Sequence, residues 1–164
     1  MKLDFLKQFI KQTKTDSLKT KDYPKEFLDL KMKVSFGQGA LARVPWVALR
    51  APDMPVSNGY NPVYLFYKKQ GILVLSYGIS ETHIPEKSWE PSIHETKTRI
   101  DDFIDNPARY GDSYVHKYYE PRIEGKEVNF YRDNVKVSEE LIFNELLEIV
   151  NFFKKCLDLE VKDE

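Results

Sequence analysis

Four arginines, Arg43, Arg50, Arg109 and Arg122, lie close in sequence to Trp46, Tyr60, Tyr64, Tyr110, Tyr114, Tyr118 and Tyr119, in or beside stretches that read as loops. Basic groups hold phosphates and flat rings stack on bases, so this pairing supplies the two contacts that a nucleic-acid surface needs. The same aromatics would serve equally well as packing at strand ends, and the residue types alone leave both readings open. The stretch SFGQGALARVPW, residues 35–46, poses the question most sharply. Its Gly37-Gln38-Gly39 can be a phosphate cradle, a plain chain reversal, or a loop that presents a side chain.

Other chemistries lack their residues. No GxxxxGK[ST] occurs, and the GQG is not followed by a helix at the spacing of a dinucleotide-binding turn, which removes the cradle. His83, His94 and His116 fall in no HExxH or paired Cys/His pattern, so each reads as an ordinary surface histidine. There is no GxSxG elbow. The single cysteine, Cys156, excludes an internal disulfide or a cysteine-cluster metal site, and beside Phe152 and Phe153 it reads as a buried structural thiol. No catalytic constellation results, and no cofactor or metal is expected.

The elements that must carry these residues follow from periodicity. Leu3, Leu6 and Ile10, with Phe5 and Phe9, repeat at helical spacing and predict an opening amphipathic helix. Asp22, Pro24 and Glu26 form a helix-start pattern, giving a short helix to about Asp29. Leu30, Met32, Val34 and Phe36 alternate with Lys31, Lys33 and Ser35, a half-buried strand leading straight into the GQG loop. WVAL is a further strand, VYLFY (63–67) and ILVLSYG (72–78) form a hairpin turned at Gly71, and EVNFYR is another strand. A helix is predicted over 92–104, and a long one follows Ser138, which can cap it while Glu139 and Glu140 oppose its dipole. This order argues for a single α+β domain with a largely antiparallel sheet flanked by helices. Stretches 37–45, 50–62 and 105–123 are loops longer than connection requires, and such loops are more often functional than decorative.

At 164 residues and 41% hydrophobic content, the chain can bury a core. No run approaches the roughly 18 apolar residues of a membrane span, and nothing marks the start MKLDFLKQFIK for export, so a soluble cytoplasmic protein is expected. The net charge of −1 conceals a gradient: residues 5–50 carry ten Lys or Arg against four acids, whereas residues 138–164 carry eight acids against three lysines. Such asymmetry would let one end of the molecule grip a polyanion, and it equally fits solvated faces on two surface helices.

KDYPKEF, KMKVSFGQGALARVPW, SNGYNPVYLFY, LVLSYGIS and RYGDSY, in that order and with these gaps, closely resemble the N-terminal DNA-binding domain of the McrB family, the specificity subunit of modification-dependent McrBC restriction systems. The resemblance covers about Lys21 to Tyr114 and implies a domain that binds duplex DNA and rotates a methylated cytosine out of the helix. It places the base pocket on Trp46, Leu65 and Tyr110. It also gives the loop Gly37, Gln38 and Gly39 a role in entering the duplex, although the position of Gln38 is a tyrosine in the best-known member. Arg43, Arg50, Lys68, Lys69, Arg109 and Lys117 are the candidates for phosphate contacts. The resemblance further implies an AAA+ GTPase ring and a McrC-type nuclease subunit as partners, with no catalysis in this chain. Two alternatives remain: a site-specific module reading an unmodified sequence, and a protein-interaction domain that docks through its acidic helix.

Overall fold

Residues 2–53, 59–81, 89 and 92–157 are described by a computed structural model. Eight strands form one antiparallel sheet in which each pairs with its sequence neighbour. They are β1 (Glu26–Phe27), β2 (Leu30–Ser35), β3 (Trp46–Arg50), β4 (Tyr60–Tyr67), β5 (Ile72–Ile79), β6 (Tyr114–Glu124), β7 (Glu127–Arg132) and β8 (Val135–Val137). Among the described residues, four helices accompany them: α1 (Asp4–Gln12), α2 (Ser92–Thr96), α3 (Ile100–Phe103) and α4 (Glu139–Cys156). This is the α+β architecture with an antiparallel sheet that the element order predicts.

Alternation along β4 separates two hydrophobic layers. Tyr60, Tyr64 and Phe66 join Val47, Leu49, Leu73 and Leu75 in the main core, with Leu6 and Phe9 of α1 and Ile142, Leu146 and Phe153 of α4. Val63, Leu65 and Tyr67 point the other way, against Ala48, Val74, Ile100 of α3 and Ile104 just after it. All eight residues of β4 are buried, which is why VYLFY reads as a continuous apolar run. The predicted hairpin forms β4 and β5, with Gly71 at φ +70° in its turn. Ser138 caps α4 by accepting from the Leu141 N–H at 3.1 Å.

Several stretches depart from expectation. The short helix to Asp29 is instead a hairpin: Phe27 pairs with Leu30 across Leu28 and Asp29, both at positive φ. Extended backbone lets Phe27 pack edge-on to Phe5 and Phe143, at ring-centroid distances of 5.0 and 6.4 Å, and this burial overrides the local helix-start pattern. The helix over 92–104 is broken into α2 and α3. Where they meet, the backbone bonds to the start of β6 and the residue before it, Val115 N–H donating to Thr98 O at 2.8 Å and Ile100 N–H to Ser113 O at 2.9 Å. Most of the loop over 105–123 is in fact β6, whose Tyr119 is fully buried; Pro121, a residue that usually argues against a strand, pairs with Phe130 within it. The 50–62 loop contracts to the segment between Arg50 and Tyr60, of which 54–58 lie outside the described residues, as does His83. Cys156 is only half-buried, against the main core.

His116 is no ordinary surface histidine, because its side chain is 8% exposed. Its Nδ1 meets Tyr77 OH at 3.1 Å, and its Nε2 lies 3.1 Å from Glu145 O and 3.2 Å from Glu148 Oε1. Next to it, the buried Glu145 accepts from Tyr119 OH at 2.7 Å and from both terminal nitrogens of Arg132 at 3.0 and 3.1 Å. Burial alone would raise the Glu145 pKa, but the bonds from Arg132 and Tyr119 outweigh it and hold the carboxyl below its usual range.

Removing one partner from such a cluster leaves the others buried and unpaired, so Glu145→Ala should lower unfolding free energy by about 3 kcal/mol. Urea denaturation checks this, and a loss near zero would show that the cluster contributes nothing net. Burial, then the nearby Lys97, lowers the His116 pKa against the pull of Glu148. The folded value therefore lies below the unfolded one of about 6.5, and stability should be full above that pH and decline as pH falls through it. Urea midpoints should fall less steeply with acidification in His116→Asn than in the parent protein.

Candidate nucleic-acid interface

Register brings Trp46 and Leu65 together, since they are direct partners in the β3–β4 ladder. Tyr110 arrives from the segment between α3 and β6, and it packs with Trp46 against the same hydrophobic layer of the sheet. The three side chains line one open cleft of about 820 Å³ on the sheet face opposite α1 and α4. Asn61, Val63 and Leu65, alternate residues of β4, also line this cleft and share one face of the strand. Gly37, Gln38, Ala40 and Ala42 form one side, so the GQG loop stands at the cleft mouth.

The wall carrying Tyr110 is held by polar links. Glu81 Oε1 accepts from Arg109 Nε at 3.0 Å and Nη2 at 2.6 Å, while its Oε2 accepts the Tyr110 N–H at 2.8 Å. Tyr67 OH donates to Arg109 O at 2.9 Å. These bonds fix Tyr110 at φ +64°, a left-handed conformation that costs a bulky residue roughly 1–2 kcal/mol. Arg109 also lies over the Tyr110 ring, 4.7 Å from its centroid. Burial raises the Tyr110 pKa, so its hydroxyl stays protonated at neutral pH.

A family model described as MrcB-like, N-terminal domain matches residues 2–157. The chain is also 33% identical, over 170 aligned residues, to the Type IV methyl-directed restriction enzyme EcoKMcrB subunit of Escherichia coli (strain K12). The chain belongs to the MrcB-like N-terminal domain family. This is the DNA-binding part of McrBC-type restriction systems, and the relative's catalytic activity lies outside the region matched. The alignment takes in 97% of this chain and 37% of that protein.

Within this MrcB-like domain, Gly37, Gln38, Trp46, Arg50, Leu65, Arg109 and Tyr110 line the cleft, whereas Gly39, Arg43, Lys68, Lys69 and Lys117 do not. Arg43 is exposed in the loop, and Lys68 and Lys69 sit in the β4–β5 turn. Lys117 pairs across the ladder with Leu75 and approaches Glu145 at 3.9 Å, which directs it to the α4 face, away from the cleft. The packing reading holds for Tyr60, Tyr64, Tyr114 and Tyr119, all buried in the core. Lys33, Asn61 and Glu81 also line the cleft and were not singled out from sequence. Period-2 counting back from Leu65 reaches Asn61, but Glu81 carries no local signal because its partners are Arg109 and Tyr110.

Gly37 has φ +118°, and a Cβ there would lie 2.0 Å from Ala40 O and 2.6 Å from Ala42 N. Gly39 has φ +74° but open space around it. Gly39→Ala should therefore cost about 1 kcal/mol from backbone strain alone, and Gly37→Ala distinctly more, because the loop must also reopen. Thermal unfolding of the two variants compares them; equal losses would contradict the close packing at Gly37.

Proposed function

We propose that this domain reads methylated cytosine in duplex DNA by receiving the extruded base in the cleft between Trp46 and Tyr110, over Leu65. The observation that carries this is the convergence of those three side chains, drawn from β3, β4 and the α3–β6 connection, on one open cleft beside an exposed glycine-hinged loop. Extruding a base costs a few kcal/mol of stacking and pairing, and contact with aromatic and apolar side chains restores it. The cleft lies within the roughly 300–1,000 Å³ range of small-ligand sites. The name of the Escherichia coli relative, a methyl-directed restriction enzyme, accords with the assignment.

The chemistry divides among named groups. Trp46 and Tyr110 supply rings, and Leu65 supplies an aliphatic wall for the 5-methyl group. Burying one methyl is worth about 0.8 kcal/mol, roughly a fourfold preference over cytosine, so further discrimination must come from the shape of the pocket. Gln38, exposed at the loop tip, enters the duplex and holds the space left by the base. Lys33 and Arg50 hold phosphates, because β2–β3 register turns both toward the cleft side of the sheet. In the whole protein an AAA+ GTPase ring and a McrC-type nuclease subunit act on what this module binds.

Fluorescence anisotropy at matched salt should show tighter binding to a duplex carrying 5-methylcytosine than to the same unmodified duplex, by roughly fourfold or more. Trp46→Ala and Tyr110→Ala should abolish that ratio, each losing about 1–3 kcal/mol of base stacking. Equal affinity of the parent domain for both duplexes would refute the reading.

A further inference from the structure

Contacts to a methyl group leave one discrimination unmade. Thymine carries the same 5-methyl group as 5-methylcytosine, so walls formed by Trp46, Leu65 and Tyr110 accept both. The two bases differ at position 4, where cytosine presents an amino donor and thymine a carbonyl acceptor. A reader of methylated cytosine therefore needs a hydrogen-bond acceptor in the pocket, and one that cannot swap roles.

Asn61 supplies it. Its side chain lines the cleft although the residue is only 6% exposed, so its amide is a buried polar group facing the site. Its Nδ2 donates to Pro62 O at 3.1 Å. Because a carbonyl only accepts, the NH2 must face Pro62, and the amide cannot flip without losing that bond. Oδ1 is then the remaining acceptor and has no protein partner among the described residues. The neighbouring acceptors are engaged: both Glu81 oxygens take the bonds from Arg109 and Tyr110, and Ser113 Oγ accepts the Ile79 N–H at 3.0 Å.

The surroundings leave room for a ring. Asn61 pairs across the ladder with Gly78, where a Cβ would fall 2.7 Å from Val63 Cγ1, so its ladder partner adds no side chain to that end of the cleft. Leu65 lies four residues from Asn61, about 13 Å along the strand. C4 and C5 are adjacent ring atoms, so a pyrimidine over Val63 can turn its amino group to Asn61 while its 5-methyl group rests on Val63 toward Leu65.

We propose that Asn61 Oδ1 accepts a hydrogen bond from the exocyclic amino group of the extruded base, so that the cleft admits aminopyrimidines and rejects thymine. This rests on the reading of the cleft as a base pocket. An amide fixed as an acceptor would face the thymine carbonyl oxygen with a second acceptor, leaving both unpaired.

Competition binding tests this with three duplexes that differ at one position opposite guanine: 5-methylcytosine, cytosine or thymine. The thymine mismatch is the easiest to extrude, which makes it the stringent competitor. The parent domain should favour 5-methylcytosine over thymine by at least about fivefold. Asn61→Leu should bring that ratio close to one while keeping the preference for 5-methylcytosine over cytosine, and Asn61→Ala does the same without added bulk should the leucine variant unfold. A thymine ratio unchanged in a folded variant, or absent in the parent domain, overturns the role of Asn61. Loss of the methyl preference in the parent domain overturns the base pocket itself.

Discussion

Strand β4 is buried on both faces, and this double burial ties the site to the core. Tyr60, Tyr64 and Phe66 complete the layer beneath α1 and α4, while Asn61, Val63 and Leu65 line the cleft on the opposite face. A slip of one residue would exchange the two sets, sending Leu65 toward α4 and Tyr64 into the cleft. The main core therefore enforces the register of the site. Bonds at the strand ends reinforce it, with Phe66 N–H donating to Pro45 O and Ser80 N–H to Gly59 O, each at 3.0 Å.

The two aromatic walls are held by different means. Trp46 stands on a strand whose position is set by ladders on both sides, so its placement follows from the sheet. Tyr110 stands on irregular backbone in a left-handed conformation, fixed by Glu81 and Tyr67 through four hydrogen bonds to residues 109 and 110. Both rings pack against the layer that holds Leu65 and Val63. One side of the cleft thus derives from sheet geometry and the other from a polar clasp, and only the first depends on the hydrophobic pattern of the chain.

That difference explains what was legible in the sequence. Strands β2, β4, β5 and β7 and helices α1 and α4 announce themselves because alternation or helical spacing persists across each element. Strand β6 did not, because its alternation is broken by the irregularity opposite Leu75 and Ser76 and it contains Pro121. The β1–β2 hairpin turns through Leu28 and Asp29 at positive φ, where Asn-Gly would be the readable signal. Trp46 and Tyr110 stood among the candidate stacking aromatics, but their grouping with Leu65 as one pocket came only through family resemblance. Strand periodicity could have grouped Leu65 with Asn61, whereas nothing local connects Glu81 to Tyr110.

The charge gradient resolves in three dimensions into something less simple than a basic end. Lys7 of α1 pairs with Glu139 of α4, so part of the basic N-terminal excess is neutralised by the acidic C-terminal helix on the face away from the cleft. Arg109, although it lines the cleft, is bound by Glu81 and so acts as structure more than as free charge. Lys33 and Arg50, on β2 and β3, line the cleft on its other side. In the proposed reading, the phosphate backbone is gripped from the β2–β3 side, while the wall around the base stays nearly neutral. This division suits a module that must hold any sequence by its phosphates and inspect a single base by shape and hydrogen bonding.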